Sequence, residues 1–119
     1  MFDLENLRDY CLRKKGVTEE FPFGEDTLVY KVMGKMFLLT GLDNADFRFN
    51  IKCAPEQIEN IRAKYPAVQP GYHMNKNHWN TVAVNGTIPV KELKQMIDES
   101  YELVVKTLTK KMKAELNEL

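Results

Sequence analysis

The chain has 119 residues, 17 basic and 17 acidic, with 44% hydrophobic and 29% charged residues. That length suits one domain, residues 1–119, and the composition excludes a disordered chain, a collagen and a coiled-coil array. No apolar run approaches the ~18 residues of a membrane span, and the opening Met1-Phe2-Asp3-Leu4-Glu5 is acidic where a signal peptide is basic. The expectation is a cytoplasmic protein with no membrane partner.

Residues 3–15 read as a helix. Asp3 is placed to cap it, Leu4, Leu7 and Cys11 share a face, and Gly16 is placed to end it. Phe21-Pro22-Phe23-Gly24 reads as a loop whose two rings pin it to the core. Residues 27–33 are β-rich, Gly34-Lys35 reverses the chain, and Met36 to Thr40 return as a second strand, which makes a hairpin. A turn-rich connection over 41–46 leads to a strictly alternating strand. It carries Phe47, Phe49, Ile51 and Cys53 on one face and Arg48, Asn50 and Lys52 on the other.

Pro55 opens a helix whose apolar face is Ile58, Ile61 and Tyr65. Val68 begins a short fourth strand, and Thr81 to Val84 form a fifth. Pro89 then opens one long last helix with Val90, Leu93, Ile97, Tyr101, Val104, Leu108 and Met112 along one stripe. The order α-β(3)-α-β(2)-α predicts a two-layer α+β domain around one antiparallel five-stranded sheet.

Cys11 and Cys53 sit in no CxxC or CxH pattern and read as small buried hydrophobes of a reducing compartment. The sequence pI of 6.7 is far from the ~9 of a dedicated nucleic-acid domain. The charge is nevertheless uneven. No acid lies between Glu59 and Glu92, a stretch that holds Arg62, Lys64, Lys76, Lys91, His73 and His78.

Residues 70–80 carry the densest set of polar groups. Lys76 offers a cation, and Asn75, Asn77 and Asn80 offer donors and acceptors of the kind used on phosphates and base edges. Tyr72 and Trp79 offer rings for stacking, while Lys31 and Lys35 on the first hairpin add a second basic contact. Each residue also has a plain structural role: Trp79 as a core or rim anchor, the Asn residues as turn formers, the histidines as partners of loop carbonyls. A catalytic role needs a nucleophile with a base, and this segment holds no Ser, Cys, Asp or Glu, so a catalytic His73 or His78 would need a distant partner such as Cys53 or Asp46. The two histidines are not at the i, i+4 spacing of a helical metal pair. No catalytic residue, metal or cofactor is assigned.

The run Pro70-Gly71-Tyr72-His73-Met74-Asn75-Lys76-Asn77-His78-Trp79-Asn80-Thr81-Val82 resembles the signature of the MmcQ/YjbR-like family of small bacterial proteins. Phe21-Pro22-Phe23-Gly24, Lys31-Val32, Gly34-Lys35-Met36-Phe37, Pro55-Glu56, Gly86, Pro89 and Ser100-Tyr101 support it. The resemblance implies an α-β(3)-α-β(2)-α fold similar to secretion-chaperone shapes. It also implies a DNA-binding role of "double wing" type. Carried onto this chain, one wing is the hairpin at 31–36 and the other the 70–80 loop, with Lys31, Lys35, Tyr72, His73, Asn75, Lys76, Asn77, His78 and Trp79 as the contacting residues. Two alternatives stand beside DNA: a chaperone-like module for a protein partner, and a small-molecule or anion site walled by Tyr72, His73, His78 and Trp79.

Overall fold

The computed structural model describes residues 2–42, 46–71 and 74–119. In chain order the elements are α1 (Leu4–Leu12), β1 (Val17–Glu20), β2 (Thr27–Val32), β3 (Lys35–Gly41), β4 (Arg48–Lys52), α2 (Pro55–Lys64), β5 (Val68–Pro70), β6 (Trp79–Ala83), α3 (Val90–Lys106) and α4 (Lys110–Asn117). The strands form one sheet in the order β1-β2-β3-β4-β6-β5, and every neighbouring pair is antiparallel. The α+β class with one antiparallel sheet holds. The sheet has six strands where five were expected.

The added strand is β1. Val-Thr-Glu-Glu shows no apolar alternation, so periodicity passes over it. Its inward residues are Val17 and a carboxylate with partners in place. Glu19 lies opposite Tyr30, accepts from Arg8 Nε at 2.8 Å and Nη2 at 3.1 Å, and takes the Tyr30 hydroxyl at 2.9 Å. Those donors, the Arg8 hydrogen bond first, hold the Glu19 carboxyl below the usual range.

The expected cap of α1 is present and reciprocal. Asn6 N–H donates to Asp3 Oδ1 at 2.9 Å, and Asp3 N–H donates to Asn6 Oδ1 at 3.1 Å. The helix is shorter than expected and ends at Leu12. Lys14 then turns to α3, pairing with Asp98, which also takes the Tyr10 hydroxyl at 2.7 Å.

One face of the sheet carries the core. Tyr30, Leu38, Phe49, Val82 and Val32 are fully buried there against Leu93, Ile97 and Val104 of α3 and Leu7 and Cys11 of α1. The alternation expected for β4 holds, with Phe49 and Ile51 inside and Asn50 and Lys52 half-exposed. The register slips between Tyr30 and Lys31, which leaves Phe37 as an extra residue on β3. Consecutive residues Phe37 and Leu38 are therefore both buried, and Phe37 meets Tyr101 edge-to-face at 5.5 Å. Ser100 of α3 ties the strands beside the bulge. Its Oγ donates to Phe37 O at 2.6 Å and accepts from Lys52 N–H at 2.8 Å.

Three further expectations change. The reversal of the first hairpin lies one residue earlier, at Met33-Gly34. Both have positive φ, 50° and 84°, as a two-residue hairpin turn requires. Phe21 and Phe23 do not pin their loop to the core and are 50% and 67% exposed. The long last helix is two helices. Thr107 Oγ1 donates to Val104 O at 2.7 Å, and Thr109 Oγ1 accepts from Met112 N–H at 3.1 Å, closing α3 and capping α4. The apolar stripe runs on through the break as Leu108, Met112 and Leu116, which hides it from periodicity. The connection expected over 41–46 falls partly outside the described residues.

Candidate functional site: the hairpin end of the sheet

Strand direction decides where the two predicted wings sit. Because all neighbours are antiparallel in the order β1-β2-β3-β4-β6-β5, β2 and β5 run the same way. The β2–β3 turn and the β5–β6 loop therefore leave the sheet at the same end. Their axes lie three strand spacings apart, about 15 Å at ~4.8 Å each. The C-terminal end of β4 lies between them.

The two hairpins are held differently. The β2–β3 tip is a tight turn over Met33-Gly34, anchored by Met33 N–H to Gly16 O at 3.1 Å. The β5–β6 loop is too long for such a turn and is organised from below by Arg62 of α2. The Arg62 side chain is only 15% exposed. Its Nε donates to Asn80 Oδ1 at 2.7 Å, and Nη2 donates to Lys76 O at 2.5 Å and Trp79 O at 3.4 Å. Nη1 pairs with Glu59 at 3.1 Å. One fork thus gathers α2, the loop and β6. In the sequence Arg62 stands out only as one cation of the acid-free stretch. The loop groups it holds all lie far along the chain, so no local signal marks it as the loop's anchor.

Within the loop, Asn75 Oδ1 accepts from Asn77 N–H at 2.9 Å, and Asn75 O takes both His78 N–H and Trp79 N–H at 3.0 and 2.9 Å. His78 O accepts from Cys53 N–H at 2.7 Å, which ties the loop to the end of β4. Asn75, Lys76 and Asn77 are exposed, and His78 is half-buried. Trp79 is 7% exposed and lies opposite Lys52, on the face away from the helices, a buried anchor and no open stacking platform. Asn80 is 1% exposed, and its Nδ2 meets no acceptor among the described residues. Tyr72 and His73, both predicted contact residues, lie outside the described residues.

Lys31 and Lys35 occupy opposite faces of the sheet. Val32 points into the core and lies opposite Lys35, so Lys35 shares the helix-bearing face. Its Nζ donates to Thr107 O at 3.1 Å, at the C-terminal end of α3. Lys31 is on the other face, where Glu20 of β1 meets it at 3.3 Å. Its charge is balanced. The other lysines on the strands and loop at this end are Lys35, Lys52 and Lys76.

Cys53 and Asp46, considered as distant partners of a catalytic histidine, do not join the loop as an acid–base set. Cys53 is buried, and that burial pushes its thiol up. Cys11 is pushed up to about 12 for the same reason. Asp46 precedes β4 and stands at the opposite end of the sheet, 3.6 Å from Arg48. Among the described residues no three His, Cys, Asp or Glu side chains converge as a metal ion would need. A cleft of about 500 Å³ lies elsewhere, lined by Tyr10, Val90, Lys91, Lys94, Gln95 and Asp98.

Comparison with known proteins places this architecture. Residues 12–103 match the family model described as YjbR. YbdF of Escherichia coli O157:H7 is 38% identical over 92 residues, covering 76% of this chain and 75% of that protein. YjbR of Escherichia coli strain K12 is 28% identical over 105 residues, covering 88% and 89%. Among solved structures, a Deinococcus radiodurans protein of the domain family DUF419 superposes with a TM-score of 0.89 at 38% identity, covering 96% of this chain and 87% of that one. A crystal structure from Pseudomonas syringae gives 0.73 at 28% identity, covering 85% and 97%.

Proposed function

The chain belongs to the YjbR family, and on that footing we propose that it binds nucleic acid through the hairpin end of its sheet. The observation that carries this reading is the shared direction of β2 and β5, which sends two hairpins out side by side. Two projections about 15 Å apart suit contact with successive backbone segments of one nucleic acid. Lys35 and Lys76 on or beside the two tips supply phosphate contacts, and Asn75 and Asn77 supply exposed amides. Trp79 and Arg62 hold the second tip in shape. Lys31, paired with Glu20, contributes little.

Zero net charge makes the interaction local and steeply salt-dependent. In fluorescence anisotropy with a short labelled duplex, affinity falls linearly on a log–log plot against salt. Lys35→Ala and Lys76→Ala each lower the slope by about 0.9. Absence of binding at 50 mM salt, with duplex and single strand alike, would overturn the reading.

A second reading, a module for a protein partner, has its own observation. Phe21, Phe23 and Leu42 are 50%, 67% and 41% exposed. They lie at the end of the sheet opposite the hairpins, where Leu42 N–H donates to Asp26 O at 2.7 Å. Under this reading Phe21→Ser with Phe23→Ser abolishes capture of a partner and leaves duplex binding unchanged. Unchanged capture would remove it.

A further inference from the structure

Resting on the nucleic-acid reading, we propose that the α3–α4 junction continues the first hairpin as a strip that binds phosphodiesters. Leu103 to Ala114 contains Lys106, Lys110, Lys111 and Lys113 and no acid. All four lysines are exposed, and none makes an ion pair among the described residues. The nearest carboxylates along the chain are Glu102, one turn earlier, and Glu115 and Glu118 toward the end of α4.

Two contacts join this junction to the hairpin tip. Lys35 Nζ reaches Thr107 O at 3.1 Å. A Cβ on Gly16 would lie 2.6 Å from Leu116 Cδ1 of α4 and 3.3 Å from Met33 Sδ of the turn, so helix and turn close on the same glycine. The junction that carries the four lysines therefore adjoins Lys35 on the helix side of the first wing.

Local helix energetics account for only part of this arrangement. Lys106 sits in the last turn of α3, where a cation is favoured. Lys110 and Lys111 sit in the first turn of α4, which holds no acid. The helix dipole disfavours cations there. An external polyanion reverses that penalty.

A nucleic acid fits better than an anionic bilayer. An interfacial helix needs an apolar face free to enter the lipid. The large apolar residues of α4, Met112 and Leu116, are already packed against the core.

The test is the quadruple variant Lys106→Gln, Lys110→Gln, Lys111→Gln, Lys113→Gln, with the corresponding four Lys→Arg changes as control. Circular dichroism checks the fold, and binding is followed by anisotropy with a 20-base-pair duplex from 50 to 200 mM salt. The Gln variant is expected to bind at least about tenfold more weakly at 50 mM, with a salt slope reduced by about 0.9 for each phosphate no longer neutralised. The Arg variant keeps wild-type binding. If the Gln variant keeps wild-type affinity and slope while Lys76→Ala lowers the slope, the strip is refuted and the hairpin reading stands. If the wild type binds no nucleic acid at 50 mM, the hairpin reading fails and takes the strip with it. Lysine-dependent binding to vesicles of anionic lipid, without duplex binding, likewise overturns the proposal.

Discussion

The two hairpins leave the sheet at the same end and are built by opposite means. In the β2–β3 hairpin the shape is local. Two residues with positive φ close the turn, and everything beyond Gly34 follows from strand pairing. In the β5–β6 hairpin the shape is imported. A guanidinium from α2 collects a side-chain oxygen and a main-chain carbonyl from β6 and a main-chain carbonyl from the loop. A turn of the first kind resists change away from its own residues. A loop of the second kind fails when one distant side chain is removed, because deleting the donor strands several acceptors at once.

That difference can be broken experimentally. Arg62→Ala is expected to cost about 3 kcal/mol in urea denaturation, with faster amide exchange confined to residues 74–79. Arg62→Lys regains less than half of that stability, since an ammonium cannot reproduce the fork. A cost below about 1 kcal/mol for the alanine variant would mean that the loop holds itself.

Gly34→Val tests the local hairpin. It is expected to cost about 1–2 kcal/mol through the forced left-handed backbone, while Gly34→Asn stays within about 0.5 kcal/mol. Equal costs for Val and Asn would show that φ is not the constraint. Asn75→Ala removes the side-chain bond to Asn77 N–H and is expected to cost about 1 kcal/mol. An unchanged midpoint would contradict its role in the turn.

The smallest effect concerns pH at the sheet edge beside the first hairpin. Glu19 has a lowered folded value because Arg8 donates to it. Its contribution is therefore present above the ordinary carboxylate range and is lost as pH falls through the folded value. The stability gap between wild type and Glu19→Gln is expected to narrow as the medium is acidified below pH ~4.5. A gap that widens in acid would reverse the sign of this account.

Legibility in the sequence follows the range of the forces involved. The Asp3 cap, the alternation of β4, the Pro55 start of α2 and the Gly34 hairpin depend on residues near one another, and each is readable from the chain. Three features that are not readable share one cause. Glu19 has the look of a surface acid because Arg8 and Tyr30 reach it only after α1 packs on β1 and β2. Phe21 and Phe23 have the look of core anchors because hydrophobicity does not report which side of a loop is covered. Arg62 is one cation among several until the fold closes around it. The candidate site is legible as a segment, 70–80, but its division into exposed amides, a buried Trp79 and a remote guanidinium is not.

The amino-acid sequence alone determined the α+β class, the local caps and turns, the alternating strand and the family, since these rest on periodicity and neighbouring residues. Only the tertiary structure decided that the two hairpins share an end, that Lys31 and Lys35 part to opposite faces, and that the α3–α4 junction meets the first hairpin. Strand order and helix packing bring together residues far apart in the chain, and no local pattern records that proximity.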